Sequence, residues 1–354
     1  MPTTSRTLRR GALLLALGAW ACAPDQSPTE PAGPPDPVLA TAATYTPHDL
    51  GTLGGRVSQA TGINNAGAVV GWSMVAGNLR RHAFVWQRGV MTDLGTLAGG
   101  ESEAAAINQD GVIVGWSRIK SGDMRAVRWK DGLKKNLGTL GGRNSQALGI
   151  TVFGAITGWS ETAGGDRHAF VWQDGVMTDI GTLGGTAAMA FGINRSGVVV
   201  GQSRTASGAT HPFRWKSGVF KDLDTQGTLF SSAAAINTKG QIVGTLGPPP
   251  DAVGDDRSVT TPFIYFSETL TPLGRIRKPT SFARAISPAG IVVGEEHDPE
   301  GVQDPWVWES GTMRPLPKLA AGHAAGQGVN LAGTIVGYSD AGAGSVHAVR
   351  WDRQ

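Results

Sequence analysis

The phrase "DLGTLGG" at residues 49–55 is the first segment whose composition could do chemistry, and close copies begin at Asp93, Asn136 and Asp179. Glycine-rich loops bind phosphate when they end in Gly-Lys-Ser/Thr and lead into a helix. No lysine follows these glycines, and the sequence predicts no long helix after them. A structural turn, where glycine permits tight backbone geometry, is therefore favoured over a phosphate site.

Three tryptophans offer a second kind of chemistry, because each occupies the same place in a phrase of the type "VVGWS". They are Trp72, Trp116 and Trp159. Aromatic faces bind sugars, so these residues are candidate ligand-binding residues. Packing between neighbouring repeats is the alternative interpretation.

Acidic residues cluster in the segments 251–256 and 295–304, and carboxylate oxygens suit Ca²⁺. The candidate ligands are Asp251, Asp255, Asp256, Glu296 and Asp298. No ordered calcium-loop motif accompanies them, so a solvated acidic rim is the alternative. Ca²⁺ is the one cofactor that the sequence suggests.

Four histidines begin equivalent segments of the "HAFVW" type: His82, His168, His211 and His347. A metal site needs its ligands to converge within a few ångströms. Equivalent positions of different repeats are expected to lie far apart, so each histidine is predicted to pack or hydrogen-bond inside its own repeat.

An internal repeat must position all of these residues. The aromatic residue ending the "HAFVW"-type phrase recurs at a spacing of 43, with one spacing of 50. Its seven occurrences are Trp86, Trp129, Trp172, Trp215, Tyr265, Trp308 and Trp351. The fifth repeat carries a seven-residue insertion, and the fifth and sixth depart most from the common phrases.

Each repeat predicts four strands, because its apolar residues alternate and turn signals such as Asp-Gly break it every 8 to 12 residues. In the first repeat these strands are expected near residues 58–64, 68–73, 82–87 and 90–95. The fold class predicted is all-β: a seven-bladed β-propeller of four-stranded blades. The segment 45–51 resembles a fourth strand and the chain ends on a third, so the N-terminal strand is expected to complete the last blade.

These phrases resemble the HAF-repeat family of extracellular bacterial proteins, named after the "HAF" at His82–Phe84 and His168–Phe170. The resemblance covers about residues 45–351 and implies an extracellular or envelope location, but no established activity. The blade pattern is also similar to that of Trp-Asp repeats, although the dipeptide itself occurs only at Trp351-Asp352.

The N-terminal residues indicate export. Residues 1–21 combine three arginines with an apolar run of about 11 residues, which is too short for a membrane span of about 20 residues. They are interpreted as a signal peptide, and residues 22–44 as a Pro/Ser/Thr-rich tether before the propeller at 45–354. Cys22 resembles the lipidated cysteine of bacterial lipoproteins. Ordinary cleavage after Ala21 is the alternative.

Charge argues against nucleic-acid binding. Removing the three arginines of the signal peptide from the 31 basic residues leaves 28, equal to the 28 acidic ones. A neutral mature chain lacks the basic footprint of a nucleic-acid-binding protein.

The function predicted is a non-catalytic, exported binding or scaffold module of the cell envelope. We expect it to be a monomer that recognises a protein or glycan through one propeller face. Its membrane association would come only from a lipid on Cys22, in the outer membrane, with the periplasm or exterior as alternatives. A carbohydrate-active enzyme using the acidic loops of the fifth and sixth repeats is the alternative function.

Overall fold

The computed structural model describes residues 43–224, 227–228, 230–248 and 259–354. Within these ranges it contains 28 β-strands and no helix. The chain is therefore all-β, as its alternating patterns and frequent glycine turns predict. The predicted signal peptide, Cys22 and the three aspartates of 251–256 lie outside the described residues.

The strands pair antiparallel in consecutive groups, called units here, and each unit corresponds to one sequence repeat. Unit 1 contains β2 (Gly54–Ile63), β3 (Val69–Val75), β4 (Arg81–Gln87) and β5 (Val90–Asp93). Unit 2 contains β6 (Ser102–Ile107), β7 (Ile113–Arg118), β8 (Met124–Lys130) and β9 (Leu133–Asn136). Unit 3 contains β10 (Gly141–Ile150), β11 (Ile156–Thr162), β12 (Arg167–Gln173) and β13 (Val176–Gly181).

The second half of the chain repeats the arrangement. Unit 4 contains β14 (Gly184–Ile193), β15 (Val199–Thr205), β16 (Thr210–Lys216) and β17 (Val219–Asp222). Unit 5 contains β18 (Ser231–Ile236), β19 (Ile242–Leu246), β20 (Thr261–Phe266) and β21 (Thr269–Pro272). Unit 6 contains β22 (Thr280–Ile286), β23 (Val292–His297), β24 (Gln303–Glu309) and β25 (Thr312–Pro315). Unit 7 contains β26 (Ala324–Val329), β27 (Ile335–Gly342) and β28 (Ser345–Arg353), and β1 (Tyr45–Asp49) pairs antiparallel with β28.

All four strands predicted for the first repeat are present, but β2 begins at Gly54, four residues earlier than expected. The glycine pair of "DLGTLGG" enters this strand. Gly54 has a φ of +97°, and a Cβ on Gly55 would lie 2.5 Å from the carbonyl oxygen of Met74. The phrase is thus a turn that leads into the next unit, and both of its last glycines are required by geometry.

The apolar core lies between units rather than within one. Val70 and Ala83 of unit 1 pack with Ala104, Val127 and Trp129 of unit 2. Similar mixed clusters join other pairs of units, including Phe84 of unit 1 with Val336 of unit 7. Side chains at these interfaces therefore decide how tightly neighbouring units pack.

Asparagines in the turns between the first two strands of a unit also link units. Asn64 accepts a hydrogen bond from the Ala68 N–H at 3.0 Å, and its Nδ2 donates to the Asn108 carbonyl of unit 2 at 3.2 Å. The same link to the following unit is made by Asn108, Asn194, Asn237 and, from unit 7 to unit 1, Asn330. Thr151 and Ser287 cap their own turns through their hydroxyls, and in the described chain neither side chain bonds the next unit.

Candidate ligand-binding groove

The second strand of every unit carries one side chain that faces the interface layer between units. Strand register makes these positions equivalent, since each pairs with the residue before the small residue of the first strand. From unit 1 to unit 7 they are Trp72, Trp116, Trp159, Gln202, Thr245, Glu295 and Tyr338.

At the interface of units 1 and 2 this layer is filled. The Arg81 guanidinium lies 5.4 Å from the Trp72 ring centre and 5.1 Å from that of Trp116. Glu103 completes the cluster, 3.5 Å from Arg81 Nη1, and accepts the Trp116 indole N–H at 3.2 Å. Trp116 is 3% exposed, so it contributes packing area and cation–π contacts here.

The third candidate tryptophan is also covered. Trp159 is buried, donates its indole N–H to Gln146 at 3.1 Å, and lies 4.2 Å below the Arg167 guanidinium. The structure thus places the tryptophans within the packing between units and not on an open platform. The same strand position in units 4 and 5 borders the groove.

In units 4 and 5 the tryptophan position is taken by Gln202 and Thr245, which are smaller. Two cavities of about 280 Å³ each open here, and Gln202 lines both. The first is lined by Arg167, Met189, Arg204 and Thr210, among others; the second by Phe191, Phe230, Ser232, Phe282, Arg284 and Gln327, among others. We call the two together the groove.

The wall of the groove in unit 6 holds an ion pair between the buried Glu295 and the exposed Arg284. Glu295 is 1% exposed, and its Oε1 accepts a hydrogen bond from Arg284 Nε at 2.8 Å. Its Oε2 is buried without a hydrogen-bond partner in the described chain. His297 lies 3.6 Å from Oε1, and its ring contacts Phe282 at a centroid distance of 5.0 Å.

Tyr338 of unit 7 stands next to this pair. Burial, reinforced by the negative charge of Glu295, raises the pKa of Tyr338 to about 12. The tyrosine is therefore neutral at physiological pH, and its hydroxyl donates to Gln303 Oε1 at 2.6 Å. This part of the groove wall, in units 6 and 7, combines one cation, one carboxylate and neutral hydrogen-bonding groups.

The described acidic candidates for Ca²⁺ are bonded to the chain itself. Glu296 is buried and accepts backbone N–H groups of Ile276 and Arg277. Asp298 accepts Lys278 Nζ at 3.1 Å and the Val302 N–H at 2.6 Å. No group of three or more metal-ligating side chains occurs within the described ranges, and Asp251, Asp255 and Asp256 lie outside them.

The histidines hydrogen-bond within their own units, as predicted. His82, His168 and His211 each bond an aspartate of the adjacent strand at 2.7 Å: Asp93, Asp179 and Asp222. His347 bonds Asp49 of β1 at 2.8 Å. Each aspartate also accepts the N–H two residues later, so the first residue of "DLG" fixes both its turn and its histidine.

Sequence reasoning missed the groove, although one signal for it was visible. The "VVGWS" phrase becomes "VVGQS" at Gln202, "IVGTL" at Thr245 and "VVGEE" at Glu295, so a large ring is absent from three successive repeats. Among the described residues, no helix is long and apolar enough to cross a membrane.

No family model matches the chain, and no curated protein matches it. Solved β-propellers do. The β-propeller domain of the Trilobed protease from Pyrococcus furiosus aligns at a TM-score of 0.50 and 11% identity, covering 72% of this chain and 82% of that one. This match indicates the β-propeller fold alone.

Two other solved propellers align less closely. XC5397 from Xanthomonas campestris, a gluconolactonase, has a TM-score of 0.47 and 13% identity over 92% of this chain and 99% of that one. The six-bladed Aleuria aurantia lectin has a TM-score of 0.42 and 14% identity over 78% and 96%.

Proposed function

We propose that this protein is a non-catalytic, exported binding module that recognises a glycan in the groove, as a monomer. The observation that carries the proposal is that Gln202 and Thr245 occupy the strand position at which units 1 to 3 have a tryptophan. At the interface of units 1 and 2 and around Trp159 the same layer is packed with the chain's own side chains, whereas at Gln202 and Thr245 space is available to a ligand.

The lining of the groove suits a sugar. Phe191, Phe230 and Phe282 offer apolar ring faces, and Phe230 is 46% exposed. Gln202 and Gln327 offer amides that can both donate to and accept from sugar hydroxyls. Aromatic faces bordered by a few polar groups, in a concave site, are the usual composition of a small-ligand pocket.

The proposal includes a closed seven-bladed ring that holds the groove open. Three contacts between unit 7 and the first residues of the chain support it. β1 pairs with β28, Val57 bridges Val346, and the Asn330 side chain bonds the Asn64 carbonyl at 3.3 Å. In such a ring the first strand of each unit lies nearest the axis, which brings first-strand residues of units 4 to 7 to one cavity.

Catalysis by the acidic loops is the alternative, and the described carboxylates give it less support. The carboxylate oxygens of Glu296 and Asp298 accept hydrogen bonds from backbone N–H groups and a lysine of this chain. An enzyme would instead need carboxylates that meet the substrate. Turnover of polysaccharides that is abolished by Asp255→Ala would overturn the proposal in favour of this alternative.

A glycan array read with three variants tests the groove. Phe282→Ala and Phe230→Ala should each weaken glycan binding roughly tenfold, because each removes an aromatic face. Phe153→Ala is the matched control, since Phe153 is 70% exposed in the β10–β11 turn and does not line the groove. Equal binding by all three variants and the wild type would refute the groove as the site.

Export and lipidation remain proposals that rest on the N-terminal sequence. If Cys22 is lipidated, the protein should fractionate with membranes and Cys22→Ala should release it. A protein that is soluble in both forms would favour ordinary cleavage.

A further inference from the structure

We infer that the groove takes an acidic glycan, and that Arg167 and Arg204 receive the carboxylate of a uronic-acid residue. This inference rests on the proposed function and names its ligand class. It comes from comparing two interfaces of the same molecule, in which the same backbone positions carry arginines.

The interface of units 1 and 2 shows how the chain satisfies these arginines. Arg81 Nη1 lies 3.5 Å from Glu103, and Arg118 Nε donates to Glu101 at 2.6 Å. Both carboxylates come from the end of unit 2 where its first strand begins. The side chains of Arg81 and Arg118 are 37% and 40% exposed, so these ion pairs satisfy the arginines but contribute only modestly to stability.

The interface of units 3 and 4 has the arginines without the acids. By strand register, Arg167 and Arg204 stand where Arg81 and Arg118 stand. Ala187 and Met189 occupy the places of Glu101 and Glu103.

Arg167 and Arg204 are consequently exposed and form no ion pair within the described chain. Arg167 stacks on Trp159, and its Nη1 lies 3.8 Å from Met189 Sδ. Both side chains line the same cavity of about 280 Å³. Two arginines that line one cavity, with no acid among the lining residues, are suited to receive an anion.

The filled interface also indicates which anion fits. There the space is occupied by a carboxylate next to a flat ring, Glu103 beside Trp116. A uronic-acid residue combines a ring with a carboxylate on one small unit. Its neighbouring sugars would continue past Gln202, which lines both cavities, toward Phe230 and Phe282.

Titration calorimetry with uronic-acid trisaccharides, each as the free acid and as the methyl ester, tests the inference. The probes are galacturonic, mannuronic and glucuronic trimers. Wild type should bind at least one free acid about tenfold more tightly than its ester, because charge-assisted hydrogen bonds are lost on esterification. The preference should shrink as salt is raised.

Variants identify the residues responsible. Arg167→Gln and Arg204→Gln should each remove most of the preference for the acid, so that acid and ester bind each variant with nearly equal affinity. Arg195→Gln is the matched control, because Arg195 lies in the β14–β15 turn outside the groove. The double variant Ala187→Glu, Met189→Glu should block the arginines with the chain's own acids and reproduce the loss.

The outcomes separate the two proposals. Equal binding of acids and esters, unaltered in the arginine variants, refutes the acidic ligand and leaves glycan binding standing. A preference for acids that survives in both arginine variants also refutes the inference. Absence of binding to these trimers and to every neutral glycan on the array refutes both.

Discussion

The interface of units 1 and 2 and the interface of units 3 and 4 have the same strands in the same register, but different side chains. In the first, two tryptophans enclose Arg81 and two glutamates pair with the arginines. In the second, Gln202, Met189 and Ala187 leave the arginines exposed beside a cavity. Smaller side chains at one interface thus leave a cavity there, although the strand register is the same, and under the proposed function this cavity is the binding site.

Replacing a tryptophan of the filled interface by the glutamine found in the open one should have the largest effect on stability. Trp116→Gln removes a 3%-exposed indole and the donor to Glu103. We expect the free energy of unfolding to fall by about 3 kcal/mol, the scale of large-to-small changes in a core. Urea denaturation measures this. Gln202→Ala, the same position in the open interface, should cost less than about 1 kcal/mol; equal losses would contradict the distinction between the interfaces.

Placing the tryptophan of the filled interface in the open one should weaken ligand binding. Gln202→Trp places a ring where Trp116 stands in unit 2, so we expect glycan affinity to fall by tenfold or more. The new ring can stack on Arg167, and stability should be unchanged or higher by about 0.5–1 kcal/mol. Calorimetry and thermal melts measure the two effects. Arg195→Trp, which adds a ring outside the groove, should retain binding.

The two interfaces also differ in the asparagine hydrogen bond that links one unit to the next. Asn64 bonds unit 2, whereas Thr151 of unit 3 makes no such bond to unit 4 in the described chain. Thr151→Asn should install the missing bond to the Asn194 carbonyl and stabilise the protein by about 1 kcal/mol, and Asn64→Thr should destabilise it by a similar amount. Melting temperatures of the two variants would then move in opposite directions. Shifts of the same sign would contradict the assignment.

The smallest expected effect concerns the carboxylate inside the filled interface. Burial raises the pKa of Glu103 above its ordinary value of 4.5, although Arg81 and the Trp116 N–H oppose the shift. Folding therefore favours the protonated acid, and its contribution to stability declines as the pH rises from 4.5 through the folded pKa. Glu103→Gln keeps a neutral acceptor, as Gln146 does in unit 3.

The difference in stability between Glu103→Gln and wild type should thus become more favourable to the variant between pH 4 and pH 7. Urea midpoints across this range measure it. Gln146→Glu is the reverse change, at a position where Met124 replaces the arginine, and should lose stability over the same range. A pH-independent difference in both variants would contradict the burial of this carboxylate.

Much of the fold is predictable from sequence because its determinants are local. The paired positive φ values of Arg88-Gly89 and Asp131-Gly132 are the hairpin turns that the sequence indicates. The early start of β2 was not predictable, since it depends on the close approach of Gly55 to Met74. Local patterns give the strands, but not how far each extends into the turn before it.

The candidate site depends on contacts between units, so it was harder to predict from the sequence than the strands were. The equivalence of the three tryptophans was visible, but the sequence alone did not show that Arg81 enters between two of them. Nor could it show that the acid pairing with an arginine comes from the following unit. The acidic segments that the sequence singled out include Glu295, which pairs with Arg284 of the groove, but nothing in them indicated the cavity at Gln202.

Hydroxyl-radical footprinting with and without a bound uronic-acid trisaccharide tests the central claim most directly. The ligand should protect Met189, Phe230 and Phe282 from oxidation and leave the exposed Phe153 unchanged. Protection of Phe153, or a bound ligand that leaves the three groove residues fully reactive, would contradict the assignment of the groove as the binding site.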